Sequence, residues 1–214
     1  MSATPITPPS FHSTRLVYRS IESPLDDAFL LDLLGSDEPS HFGGTDDPVV
    51  PWKKKSMEDF QKAVEKAPIG VIICLAGEKK EGEVGTGGVR KAGEAIGVMI
   101  LHPIRQFHRR ADFGISIAGA HQGKGYAAEA LNWLLDRAFL GYGLNKVQGA
   151  CFSFNEKALK CYKSVGFVEE GRRRQATWQE GAYYDDVLIG ILASEWFALR
   201  EKKRKSEAEQ AQSP

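Results

Sequence analysis

Alternation of apolar and polar positions divides the chain into strands and helices in mixed order. "RLVYRSI" (Arg15 to Ile21) has period two, with Leu16, Tyr18 and Ser20 facing one way and Val17, Arg19 and Ile21 the other, and predicts a half-buried strand. Ser23 and Pro24 read as the N-cap and first residue of a helix whose broad apolar face holds Ala28, Phe29, Leu31, Leu33 and Leu34. "GSDEPSHFGGTDDPVVPW" is full of turn formers and predicts a loop. A short helix follows, opened by the near capping box Ser56-Met57-Glu58-Asp59. "IGVIICLAG" and "EAIGVMIL" are strand-length apolar runs on either side of a Gly- and charge-rich loop, Gly77 to Gly93, that is expected to be mobile.

"ADFGISIA" predicts a further strand, with Phe113, Ile115 and Ile117 on one face and Asp112, Gly114 and Ser116 on the other. It leads into "HQGKGYAAEA" and a helix in which Ala127, Leu131, Leu134 and Ala138 keep helical spacing until Gly141 and Gly143 stop it. After the strand "KVQGACFSF", Asn155 is placed to cap the helix "EKALKCYKSV", Gly166 to end it in the left-handed region, and Phe167 to add an apolar contact. "GFVEEGRRRQATW" and "YYDDVLIGIL", joined by "QEGA", predict a terminal hairpin. The order is mixed α/β, with a strand–turn–helix–strand core.

The 214 residues, 42% of them hydrophobic, fit a single domain over 14–199, between an N-terminal tail (1–13) expected to be disordered and a charged C-terminal tail (200–214). Lys plus Arg and Asp plus Glu both number 28, so net charge gives no reason to expect binding to nucleic acid or membrane surfaces. Cys74, Cys151 and Cys161 lack zinc or disulfide-framework spacing, and no signal peptide or spanning segment is visible. A cytoplasmic home is expected; the basic cluster Lys202 to Lys205 reads as a solvated helix end or, alternatively, a nuclear address.

The turn at 121–130 carries the chemistry. Two glycines and a lysine before a helix leave unpaired N–H groups and the positive end of the dipole at one spot, which suits a phosphate. A Walker loop fails twice, because Lys124 is followed by Gly125 and the first glycine position is Ala118. The dinucleotide fingerprint GxGxxA fits Gly123 to Ala128, but the following strand ends in Asn155 rather than an acidic residue, and the motif lies past the middle of the chain. Taken singly, Gly123 and Gly125 also read as a tight turn, Asn155 as a cap and Tyr162 as a core aromatic.

A third overlay, Gln122-x-x-Gly125-x-Ala127, resembles the pyrophosphate loop of the GNAT superfamily of N-acetyltransferases. With "RADFGISIAGAHQGKGYAAEALNWLLDRAF", "NKVQGACFSFNEKALKCYKSVGFVEEG" and "YYDDVLIGIL", the resemblance runs strongly from Arg110 to Leu192 and loosely over Arg15 to Leu101, and is similar to the ribosomal-protein alanine and spermidine acetyltransferase branch. It implies the acyl-coenzyme A N-acyltransferase fold, an α+β architecture whose mixed, mostly antiparallel sheet has a splayed strand pair flanked by helices. It also implies acetyl-coenzyme A as cofactor, acetyl transfer to a primary amine by direct attack through a tetrahedral intermediate, and assembly as a monomer or homodimer.

By the same resemblance Ile115, Ser116 and Ile117 hold the pantetheine arm and Gln122, Gly123, Lys124, Gly125, Tyr126 and Ala127 the pyrophosphate, with Asn155, Lys157 and Tyr162 also on the coenzyme. The Ile117 amide would meet the oxyanion and Tyr162 would protonate the thiolate; Ala158 stands where many members carry Ser. An amine with a pKa of about 10 needs a base. Asp112 is the first candidate, read also as a solvated carboxylate, followed by Glu94 and His108; His41, His102 and His121 show no metal-ligand pattern. The acceptor would lie between the first helices and the hairpin, walled by Asp46, Asp47, Trp52, Trp178, Tyr183, Tyr184 and Asp185. A small amine, amino acid, polyamine or protein N-terminus would serve. Alternatives are a non-catalytic acyl-coenzyme A sensing module and a nicotinamide-dependent oxidoreductase.

Overall fold

Residues 10–44, 51–77 and 90–212 are described by the computed structural model; Asp46, Asp47 and most of the Gly77 to Gly93 loop lie outside them. In chain order the elements are β1 (Leu16–Ser20), α1 (Asp27–Gly35), α2 (Glu38–Gly44), α3 (Lys54–Lys66), β2 (Ile69–Ala76), β3 (Ala92–Leu101), β4 (Arg110–Ile117), α4 (Tyr126–Asp136), β5 (Lys146–Phe152), α5 (Glu156–Val165), β6 (Val168–Gln179), β7 (Ala182–Leu192) and α6 (Ala193–Gln212). The strands form one sheet in the order β1-β2-β3-β4-β5-β7-β6. Every neighbouring pair is antiparallel except β4 with β5, which is parallel. A doubly wound nucleotide-binding sheet is parallel throughout its core, so the oxidoreductase alternative falls here.

The parallel pair is also where the sheet opens. β4 and β5 are in register only from Arg110–Lys146 to Asp112–Gln148, after which the two strands part. One face of the sheet packs on α4, where Leu131, Leu134 and Leu135 are fully buried and Trp133 stacks on Tyr18 with centroids 4.1 Å apart. The other face meets α1 and α3 through Leu30, Leu33 and Met57 against Val17, Ile72, Cys74 and Val98. β1 is therefore buried on both faces.

Three expectations need correction. The helix after β1 begins at Asp27, not at Pro24, because Asp26 turns the chain first: its carboxylate takes the Arg19 guanidinium and the Glu22 amide. The segment read as a loop contains α2, whose N-terminus is capped by Asp37 Oδ1 accepting from the Ser40 amide at 3.1 Å. α3 starts at Lys54 without a side-chain cap, leaving Ser56 within its first turn. The charged tail continues α6 through Gln212, supported beyond its buried Trp196 by four-residue ion pairs Glu201–Lys205 and Lys203–Glu207. At the other end, Ser13 Oγ donates to Glu129 and the Ser10 carbonyl accepts from Trp133 Nε1, tying residues 10–13 to α4.

Candidate active site

The turn before α4 is built for an anion. Gly123 and Gly125 stand at φ +74° and +80°, in the left-handed region that favours glycine. The amides from Gly123 to Ala128 find no hydrogen-bond partner among the described residues. Arg15 holds the turn from outside: its guanidinium pairs with Glu129, donates to the Lys124 carbonyl at 3.0 Å and lies 4.7 Å from the centre of the Tyr126 ring. The Lys124 side chain is exposed and is not part of the cavity wall.

β4 supplies the second part. The bonds from the His102 amide to the Asp112 carbonyl and from the Ala118 amide to the Ile96 carbonyl fix the phase of its ladder with β3. Backbone groups alternate sides along a strand, so those of Ile115 and Ile117 point the other way, into the opening left by β5. The Ile117 carbonyl is taken by Gln122 Nε2 at 2.9 Å, which leaves its N–H and both groups of Ile115 on the cleft. Gln122 thus fastens the turn to the strand.

α5 closes the cleft. Asn155 Oδ1 caps it by accepting from the Ala158 amide at 3.1 Å, and its Nδ2 donates to the Gly43 carbonyl at 3.3 Å. The cap and cleft-lining roles therefore coexist in one residue. Tyr162 has its ring edge-on to Phe113 and Phe167, at 5.5 and 6.0 Å between centroids. Its hydroxyl hydrogen-bonds to nothing in the described chain. Burial, reinforced by the Cys151 and Cys161 thiols, pushes the phenol above its ordinary value, so it stays protonated across the neutral range.

Two cavities meet in this cleft. One of about 410 Å³ is lined by the turn, Ile115 to Ile117 and the α5 residues Lys157, Lys160 and Tyr162. The other, of about 380 Å³, runs beneath α3 past Trp52, Phe60, His102 and Phe113. They share Gly43, Gly44, Ile115, Ser116 and Tyr162. α2 thus ends as a partition, and it needs glycine there: a Cβ on Gly43 would stand 2.7 Å from Asn155 Nδ2. The first cavity fits acetyl-coenzyme A, since it joins free loop amides, a free strand edge and two lysines, with no carboxylate among its described walls.

Several expected site residues lie elsewhere. Asp112 lines neither cavity; its carboxylate accepts from Gln148 Nε2 at 2.9 Å across the parallel pair. Glu94 is exposed and meets His121 Nε2, while His108 is exposed beside Phe107. Trp52 lines the second cavity, whereas Trp178 and Tyr183 pack on each other at 4.7 Å on the exposed hairpin, Tyr184 meets Phe154, and Asp185 accepts the Gln175 amide. Beyond the expected residues, His102, Phe60 and the Gly43–Gly44 pair line the cavities. The glycine doublet is visible in the sequence, within a stretch of turn formers that predicts a loop.

Comparison with known proteins places this geometry in a family. The acetyltransferase (GNAT) domain matches residues 15–168. An uncharacterised N-acetyltransferase, YoaA, from Bacillus subtilis is 27% identical over 184 residues, 86% of this chain and 97% of its own. Spermidine N(1)-acetyltransferase from Vibrio cholerae is 39% identical over 101 residues, 47% of this chain and 58% of its own. A crystal structure of the V. cholerae spermidine N-acetyltransferase with CoA and spermine superposes with a TM-score of 0.67 at 26% identity, covering 86% of this chain and 99% of that one. None of the described helices is long and apolar enough to cross a membrane. A parting strand pair, a turn of free amides and this kinship agree: the chain belongs to the GNAT family and is an acetyl-coenzyme A-dependent enzyme that transfers an acetyl group to an amine.

Proposed function

We propose that the first cavity holds acetyl-coenzyme A, that the second holds the acceptor amine, and that the two meet at Tyr162. The observation that carries this reading is the shared wall of Gly43, Gly44, Ile115, Ser116 and Tyr162. The coenzyme supplies an acetyl group activated as a thioester. The amides of Gly123 to Ala127 bind its phosphates, aided by Lys157, and the free groups of Ile115 bind its arm as an added strand would. The Ile117 N–H, on the cleft side of β4, would donate to the acetyl oxygen and stabilise charge developing there. Tyr162, which lines both cavities and whose phenol burial keeps neutral, would give its hydroxyl proton to the departing sulfur.

His102 replaces Asp112 as the proposed base. It lines the acceptor cavity, with its Nε2 3.6 Å from where a Cβ on Gly114 would stand, and its ring has no hydrogen bond in the described chain. Asp112 lines neither cavity, and one of its carboxylate oxygens accepts from Gln148. The free thiols of Cys74, Cys151 and Cys161 favour a reducing compartment such as the cytoplasm.

The test is His102→Gln. At neutral pH its kcat/KM for an accepted amine should fall about 10- to 100-fold and recover above about pH 9, where the amine sheds its own proton. Calorimetric affinity for acetyl-coenzyme A should not change. An unaltered neutral rate, or a loss confined to coenzyme affinity, would refute the assignment.

A further inference from the structure

The described wall of the second cavity is rich in rings and aliphatic surface. Trp52, Phe60, Phe113 and Phe152 bring rings to it and Val98 and Ile100 add aliphatic surface. None of its described lining residues is Asp or Glu. A polyamine entering it would desolvate ammonium groups that never reach the acetyl carbon, and an unpaired buried charge is among the costliest things a protein can hold. An uncharged ring or branched chain in the same space gains by leaving water and by packing on Trp52 and Phe60, whose centroids are 6.1 Å apart.

We infer that the acceptor is a monoamine carried on an apolar, aromatic body, the amine lying at the shared wall beside Tyr162 and the body filling the space beneath α3. Resting on the acceptor assignment above, this gives the substrate class. A cavity of about 380 Å³ takes one or two rings on a short arm. His102 lines the same cavity, with its Nε2 beside the Gly114 backbone. This chain would then differ in acceptor from its neighbour, which is named for acetylating spermidine.

Initial rates by thiol release, with 2-phenylethylamine, tryptamine and spermidine as acceptors, test it. kcat/KM for the two aromatic amines should exceed that for spermidine at least about tenfold, chiefly through KM. Ala63→Glu, which adds a carboxylate to the α3 wall, should narrow or reverse that ratio while leaving calorimetric affinity for acetyl-coenzyme A unchanged. If that variant does not fold, Trp52→Leu should raise the KM for tryptamine and spare that for acetyl-coenzyme A. Preference for spermidine would overturn the substrate class and leave the acceptor assignment standing. Variants that alter coenzyme affinity instead of amine KM would overturn the acceptor assignment, and turnover of none of the three amines would overturn the proposal.

Discussion

Tyr162→Phe removes one oxygen and keeps the ring that packs edge-on against Phe113 and Phe167. A buried hydroxyl that loses a protein partner costs about 1 kcal/mol. This one has no partner in the described chain, so stability should change by less than about 0.5 kcal/mol. If the hydroxyl protonates the leaving sulfur, kcat should fall about 100-fold or more, equivalent to about 2.7 kcal/mol at the barrier. Thermal unfolding, calorimetric titration with acetyl-coenzyme A and steady-state thiol release would separate the three quantities. Because burial holds the phenol above its ordinary value of about 10, the wild-type rate should not fall on the alkaline side at that ordinary value. Unchanged turnover with an accepted amine, or a loss of affinity as large as the loss of rate, would refute the acid role.

Two further changes probe the scaffold. Asp26 is buried and takes both Arg19 Nη groups at 2.6 and 2.7 Å; that hydrogen-bonded pair holds its carboxyl below the ordinary range. Its contribution is complete above about pH 4 and is lost as pH falls through the lowered folded value, so Asp26→Asn should cost about 2–4 kcal/mol at pH 7 and flatten the acid limb of a urea-unfolding series. Gly166 sits at φ +114°, and a Cβ there would lie 2.5 Å from Leu199 Cδ1, so Gly166→Ala should lower stability by about 1–3 kcal/mol in the same assay.

Where local chemistry decided the structure, the chain was readable. Asn155, Gly166 and Phe167 announce the start, stop and flanking contact of α5 within a dozen residues, and the glycine turn and α4 are equally self-contained. The hairpin was legible from its alternation, although the irregular register between Arg173 and Thr177 was not. α2 escaped because its cap and turn formers look alike in one dimension. Its Asp37 carboxylate is fixed partly by Gly119, 82 residues away, a contact no window can contain. Asp112 is a similar case: alternation puts it on the strand, but only the pairing with β5 shows that one of its carboxylate oxygens accepts from Gln148. His102 closes an apolar strand and carries no local sign of the cavity it enters.

The same Asp37 carboxylate links two events that would otherwise be separate. One oxygen holds the N-terminus of α2 and the other accepts the Gly119 amide at 2.7 Å, just upstream of the coenzyme turn. The far end of α2 is the glycine partition. A coenzyme that steadies the turn is then expected to steady the partition as well, so that its arrival would prepare the acceptor side. Initial-rate and product-inhibition patterns should then show a ternary complex entered by acetyl-coenzyme A first, and Asp37→Ala should blur that order toward random entry.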